Sequence, residues 1–186
     1  MTSSDSTELE PSDIESVRAR VGRSLSVDAS RAAALTPNIW LVCAKFNGGI
    51  STRLCHGVLN ALEEQGIESR SVSAAWVPGA FELPLAAARV IREDGADAVV
   101  CLGAVIRGGT PHFEFVAGEC AAGIQRVGLD TGVPVVFGVL TTDTIDQALE
   151  RSEPGKTNKG YEAGLTALEM LALLDDITTG AVPARS

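Results

Sequence analysis

A short run between Arg107 and Phe113 reads Gly-Gly-Thr-Pro-His, and each residue type in it has a chemical use. Gly108 and Gly109 let bare backbone amides approach a ligand closely. Thr110 suits a helix N-cap and Pro111 suits the first helical position. A helix start behind such a turn offers unpaired N–H groups and a partial positive charge, which together suit a phosphate. His112 then falls in the first helical turn, where that charge favours a neutral ring able to accept a proton. A phosphate pocket and a candidate base thus lie within five residues. Taken alone, the same residues also fit an ordinary turn after a strand and a polar surface histidine.

The run has to be held by the elements around it. Val99 to Ile106 is continuously apolar apart from Gly103, as a strand buried on both faces requires. Ile39 to Ala44, Ser71 to Val77, Ala98 to Ile106 and Val133 to Leu140 read as four strands. The helix after the first carries Ile50, Leu54, Val58, Ala61 and Leu62 on one face and stops at Gly66. The next carries Leu83, Ala87, Val90 and Ile91 and ends at Gly95. A third, from Pro111, carries Val116, Cys120, Ile124 and Val127. Shorter helical patterns follow at about residues 144–151 and 160–174. This alternation predicts a doubly wound α/β domain whose four-stranded, mainly parallel sheet is flanked by helices. Ligands bind such sheets beyond the carboxyl ends of the strands. Phe46-Asn47, Gly79 to Glu82, Gly108 to His112 and Thr141-Thr142 all fall on that rim.

Composition narrows the function classes. The chain has 186 residues, 45% of them apolar and only 4% aromatic, which is enough for one domain with an aliphatic core. A net charge of -9 argues against a nucleic-acid or anionic-membrane partner. No apolar stretch reaches the roughly 20 residues of a membrane span, and the acidic start is unlike a signal peptide. Cys43, Cys55, Cys101 and Cys120 form no CxxC pair and lie in apolar patterns, so they read as reduced core residues of a cytoplasmic protein. His56 and His112 have no ligand spacing around them, so no metal is expected. Residues 1–37 read as a flexible N-terminal extension: the first 15 hold five acids and no base, and residues 13–27 could form a marginal helix. Residues 38–174 form the expected domain, and residues 175–186 a fraying tail.

Six motifs occur in order along residues 38–174. They are Phe46-Asn47; Val77-Pro78-Gly79-Ala80-Phe81-Glu82-Leu83-Pro84; Gly103 to Gly108 with Thr110-Pro111-His112-Phe113; Phe137 to Thr142; Gln147-Ala148 with Arg151; and Asn158-Lys159-Gly160. Together they closely resemble the 6,7-dimethyl-8-ribityllumazine synthase family. The resemblance implies a three-layer flavodoxin-like fold. It also implies a transferase of riboflavin biosynthesis that works in the penultimate step. The family condenses 5-amino-6-(D-ribitylamino)uracil with 3,4-dihydroxy-2-butanone 4-phosphate, giving the lumazine, phosphate and water without a cofactor.

By the same resemblance, Phe46 stacks on the pyrimidine, with Asn47 beside it. Ala80, Phe81 and Glu82 line the ribityl pocket, and Val105 and Ile106 touch the ring. Gly108, Gly109, Thr110 and Arg151 hold the phosphate. Read without the family, Arg151 is a solvated residue at the end of a short helix, and Glu82 an acid in a first helical turn. His112 is implied to shuttle protons. Phe137 and Lys159 complete the site from a neighbouring subunit of a homopentamer, together with Arg151. Arg107 is left outside the site as structural. The linker Ser152 to Thr157 has the length of members that assemble an icosahedral sixty-subunit shell, in which riboflavin synthase is the candidate partner. A non-catalytic relative that binds lumazine or flavin as an assembled container is the alternative.

Overall fold

The computed structural model describes residues 11–21 and 29–180. Strand β3 (Ala98–Ile106) lies inside the sheet, as its apolar run predicts. It pairs in parallel with β1 (Ile39–Ala44) on one side and β4 (Val135–Thr142) on the other. Strand β2 (Val72–Val77) adds to the far side of β1. The order is β2-β1-β3-β4, and every pairing is parallel.

Side-chain alternation then builds two cores. Ala98, Val100, Leu102 and Ala104 of β3 join Ile39, Leu41 and Cys43 of β1 on one face. Val99, Cys101 and Val105 join Val42 on the other. This is the period of two expected of a strand buried on both faces. Helices α2 (Gly48–Glu64) and α6 (Lys159–Thr179) cover the first core. Helices α3 (Leu83–Asp94) and α4 (His112–Thr131) cover the second. The expected three-layer, flavodoxin-like α/β architecture is the observed one, with a sheet that is wholly parallel.

Helices α2 and α6 meet backbone to backbone. A Cβ at Gly160 would collide with the Leu54 carbonyl, and one at Gly57 with the Asn158 side chain. A Cβ at Gly164 would sit 3.0 Å from that of Ala61. Three of the cysteines are fully buried, and all four are free thiols. Burial pushes the Cys101 thiol up and that of Cys120 up to about 11. Cys43 is pushed up by its hydrogen bond with Cys55 and then by burial, while the same bond lowers Cys55.

Several boundaries differ from the sequence expectations. Strand β4 starts at Val135 rather than Val133, because the Val133 N–H turns back to the Thr131 hydroxyl at 3.3 Å. It runs on through Thr141 and Thr142, which pair with Val105 and Ile106. Helix α6 continues past Leu174 to Thr179, because Asp176 is buried and ion-paired to Arg31 at 2.6 Å. Arg31 belongs to a 3-10 helix, Ala29–Leu35, that buries Ala29 and Ala32 in the α2–α6 core. The segment before residue 38 therefore includes a docked stretch. Upstream, the marginal helix is observed as α1, Pro11–Arg18. The expectations for residues 1–10, 22–28 and 181–186 lie outside the described residues. Among the described residues, no helix is long and apolar enough to cross a membrane.

Candidate active site

The carboxyl ends of β1, β2 and β3 open onto a cavity of about 670 Å3, within the usual size of a small-molecule site. Past the end of β1, Lys45 N–H donates to the Val77 carbonyl at 2.8 Å and Phe46 N–H to that of Pro78 at 3.1 Å. These bonds tie the ends of β1 and β2 together and set Phe46 at the rim, 72% exposed. Asn47 follows in the left-handed region at φ 56°, a conformation its short amide tolerates. Its Nδ2 donates to the Ala104 carbonyl at 2.9 Å, which fastens the turn to β3. Asn47 is thus a brace for the turn and does not itself line the cavity.

The next wall is the 3-10 turn Ala80–Glu82. Glu82 Oε2 accepts the Gly79 N–H at 3.0 Å, closing the turn in the manner of a capping box. Ala80, Phe81 and Glu82 all line the cavity. Val105 and Ile106 form its floor at the end of β3. Gly108, Thr110 and His112 close it. His112 is the first residue of α4 and is exposed there. Thr110 does not cap this helix. Pro111 takes the cap position with helical dihedrals, and among the described residues no side chain caps the helix start. Those amides are therefore left without an internal side-chain acceptor, which suits them to an anion. Gly109 lies outside the lining residues, with open space around its Cα.

Phe137, Arg151 and Lys159 are elsewhere. They line a second cavity of about 640 Å3 that runs along β4 from Pro134 to Thr141. Among the described residues strand β4 pairs only with β3, which leaves its outer edge without a strand partner there. Helix α5 (Ile145–Arg151) carries Arg151 in its last turn. A capping box starts that helix: Gln147 N–H donates to the Thr144 hydroxyl at 3.2 Å, and Gln147 Oε1 accepts the Thr144 N–H at 3.3 Å. Ala148 is fully buried beneath it. Arg151 donates to the Gln147 carbonyl at 3.1 Å. Lys159 pairs with Glu162 at 2.7 Å. Between the two cations in sequence stands Asn158, 1% exposed. Its Oδ1 caps α6 by accepting the Gly160 N–H at 2.7 Å, and its Nδ2 donates to the Ser152 and Glu153 carbonyls at 2.9 and 3.0 Å. It therefore closes the α5–α6 linker and fixes where both cations start.

The structure thus brings together nine of the expected residues in the first cavity and three in the second, and it does not join the two groups. Sequence reasoning missed part of the cavity wall and the partners of one side chain it read as structural. Phe115 and Val116 line the first cavity, but helical periodicity marks them only as an apolar pair. Arg107 holds Asp143 at 2.6 Å through Nε and Glu114 through Nη1, and its guanidinium lies 4.2 Å from the Phe113 ring centroid. The Glu114 and then the Asp143 carboxylate push that guanidinium still further up from its ordinary value. Only the position of Arg107 directly ahead of the glycine pair could have signalled this.

Among solved structures, a GDP-L-fucose synthetase from Naegleria fowleri is 12% identical with a TM-score of 0.36. The match covers 86% of this chain and 49% of that one, so the chain spans about half that structure's length. A likeness that slight carries no argument about function. The model of the 6,7-dimethyl-8-ribityllumazine synthase family matches residues 36–175, which contain every residue of both cavities. The chain belongs to the 6,7-dimethyl-8-ribityllumazine synthase family.

Proposed function

We propose that the protein condenses 5-amino-6-(D-ribitylamino)uracil with 3,4-dihydroxy-2-butanone 4-phosphate to give 6,7-dimethyl-8-ribityllumazine, phosphate and water. The observation that carries this reading is the separation of the expected residues into two half-sites. One holds Phe46, Glu82 and His112, and the other Phe137, Arg151 and Lys159. A second copy that sets its β4 edge against the first cavity would complete an aromatic slot and a phosphate cradle. The working unit is then a homo-oligomer, a pentamer or a shell of pentamers, with residues 38–174 as its catalytic domain.

In such a site each group has a task set by its chemistry. Phe46 and Phe137 cover the flat pyrimidine, and an aromatic face contributes about 0.5–1.5 kcal/mol beyond burial. Glu82 accepts hydrogen bonds from the ribityl hydroxyls. The amides of Gly108 and Gly109, with the Thr110 hydroxyl, hold the phosphate, and the Arg151 guanidinium matches it in a bidentate fork. Lys159 balances charge. His112 moves protons as the amine adds to the ketone, as water leaves to form the imine, as phosphate departs, and as the ribitylamino nitrogen closes the ring on the remaining carbonyl with loss of a second water.

The test is an absorbance assay for lumazine with both substrates, on protein sized by light scattering. Product from a particle of pentameric mass or larger is expected. His112→Ala should lower turnover by about 10²–10⁴-fold with the particle intact. A demonstrably monomeric sample with full turnover would refute the shared site. An assembled particle that binds lumazine without making it would transfer the reading to a container.

A further inference from the structure

The turn from Gly108 to Pro111 has almost nothing of its own to hold it. A side chain at Gly108 or Gly109 would meet open space, the Thr110 side chain caps no helix, and residues 108–112 are all exposed. Loose turns sample many conformations, whereas oriented amides need one. What fixes the turn lies at its two ends. Arg107 N–H donates to the Thr142 carbonyl at 2.9 Å, extending the β3–β4 ladder by one bond. Its side chain then forks. Nε holds Asp143 at 2.6 Å, and Nη1 reaches across the turn to Glu114, two residues past His112. The Phe113 ring lies under the same guanidinium, 4.2 Å away.

We propose that Arg107 is a positioning residue: it clamps the base of the Gly108–His112 turn by joining Glu114 to Asp143, and so sets the aim of the turn's amides and of His112. This rests on the functional reading above. With both arms engaged on carboxylates, Arg107 orients the phosphate site rather than contributing charge to it. The same fork ties the start of α4 to Asp143, ahead of α5 and its Arg151. An ammonium, with all its donors on one atom, would serve the two partners less well than a guanidinium that presents its donors in a fixed plane. Exposed ion pairs of this kind add little to global stability, so loss of the clamp should be felt locally.

The experiment uses the assembled protein with Arg107→Gln, Arg107→Lys and Glu114→Gln. Amide hydrogen exchange is followed across the chain without substrate, and KM is measured for each substrate. In Arg107→Gln, exchange should quicken at the two bonded amides that flank the turn, residue 107 to the Thr142 carbonyl and Glu114 to the Pro111 carbonyl, while Phe46 and Glu82 keep the wild-type rate. The KM for the four-carbon phosphate should rise about tenfold with a fall in kcat. The pyrimidine KM should stay within about twofold. Arg107→Lys should recover part of the loss, and Glu114→Gln should show the same pattern more weakly. Wild-type exchange at those two amides, or a parallel change in both KM values with faster exchange throughout, would overturn the proposal. Should Arg107→Gln fail to assemble, Glu114→Gln is read by the same criteria. Exchange needs no turnover, so a wild-type protein that makes no lumazine would sink the functional reading while the clamp was still tested.

Discussion

Asn158 offers a sharp test of how the linker beside the second cavity is held. Asn158→Ala removes the cap on α6, at a cost of about 1 kcal/mol. It also removes the Nδ2 bonds to the Ser152 and Glu153 carbonyls, about 1 kcal/mol each, and a longer Nδ2 contact to the Arg53 carbonyl at 3.4 Å that adds little. The sum is about 3 kcal/mol. At about 2–4 °C per kcal/mol for a chain of this size, Tm should fall by roughly 6–12 °C. Asn158→Asp separates the two contributions. It retains an oxygen to cap Gly160 but turns a second oxygen toward two carbonyls that need a donor. That variant should be less stable than Asn158→Ala at pH 7 by about 1–3 kcal/mol. The introduced carboxyl should have a folded-state pKa above its unfolded value, because burial and the carbonyls disfavour its charge. Its penalty is then present above the folded-state pKa and fades as pH falls toward the unfolded value, so this variant alone should gain stability on acidification. The assay is urea and thermal unfolding at fixed protein concentration, with mass followed by light scattering. Asn158→Asp as stable as wild type at pH 7 would show that the linker bonds contribute nothing, and the reasoning would fail.

Two further outcomes are expected. Arg151→Ala should raise KM for the phosphate substrate by about 10–150-fold, the equivalent of about 1.5–3 kcal/mol in charge-assisted bonds, with little change for the pyrimidine. Equal weakening of both substrates would place Arg151 elsewhere, while the fold should be unmoved, since Arg151 meets only its own helix there, the Gln147 carbonyl at 3.1 Å and the exposed Glu150 carboxylate at 3.7 Å, among the described residues. Cys120 is held neutral up to about pH 11, whereas its unfolded thiol ionises near 8.5. Its stabilising contribution is therefore complete below about pH 8.5 and is lost by up to about 1.4 kcal/mol per pH unit toward 11. Alkaline unfolding curves should flatten in Cys120→Ala, and an unchanged slope would refute this.

The fold was legible because β3 and β1 carry unbroken apolar runs that only a sheet buried on both faces can use. The glycines at 66 and 95 also end helices with positive φ as their positions suggest. Boundaries set by contacts distant in sequence were not legible. Nothing near Leu174 shows that α6 runs on, since the reason is Arg31 reaching Asp176 from the other end of the chain. Thr110 and Pro111 read as cap and first position, yet the helix starts one step later with no side-chain cap. In the site, rim turns reveal which residues face the cavity, because strand ends are visible in sequence. They do not reveal that Glu82 spends one oxygen on the Gly79 amide, that Asn47 braces Ala104, or that Arg107 forks between two carboxylates. Those are pairings of side chains, and no periodicity encodes them.

The contact between α2 and α6 bears on how mutational data for this protein will read. Gly57, Gly160 and Gly164 admit no larger side chain without moving one helix off the other. In a saturation library they should be as intolerant as His112 or Arg151, although none of the three lines either cavity. An intolerance map alone would therefore draw an active site too large, extending it down a helix seam that no substrate reaches. Abundance scored beside activity separates the two: the seam variants should be depleted in both, the chemical residues in activity alone.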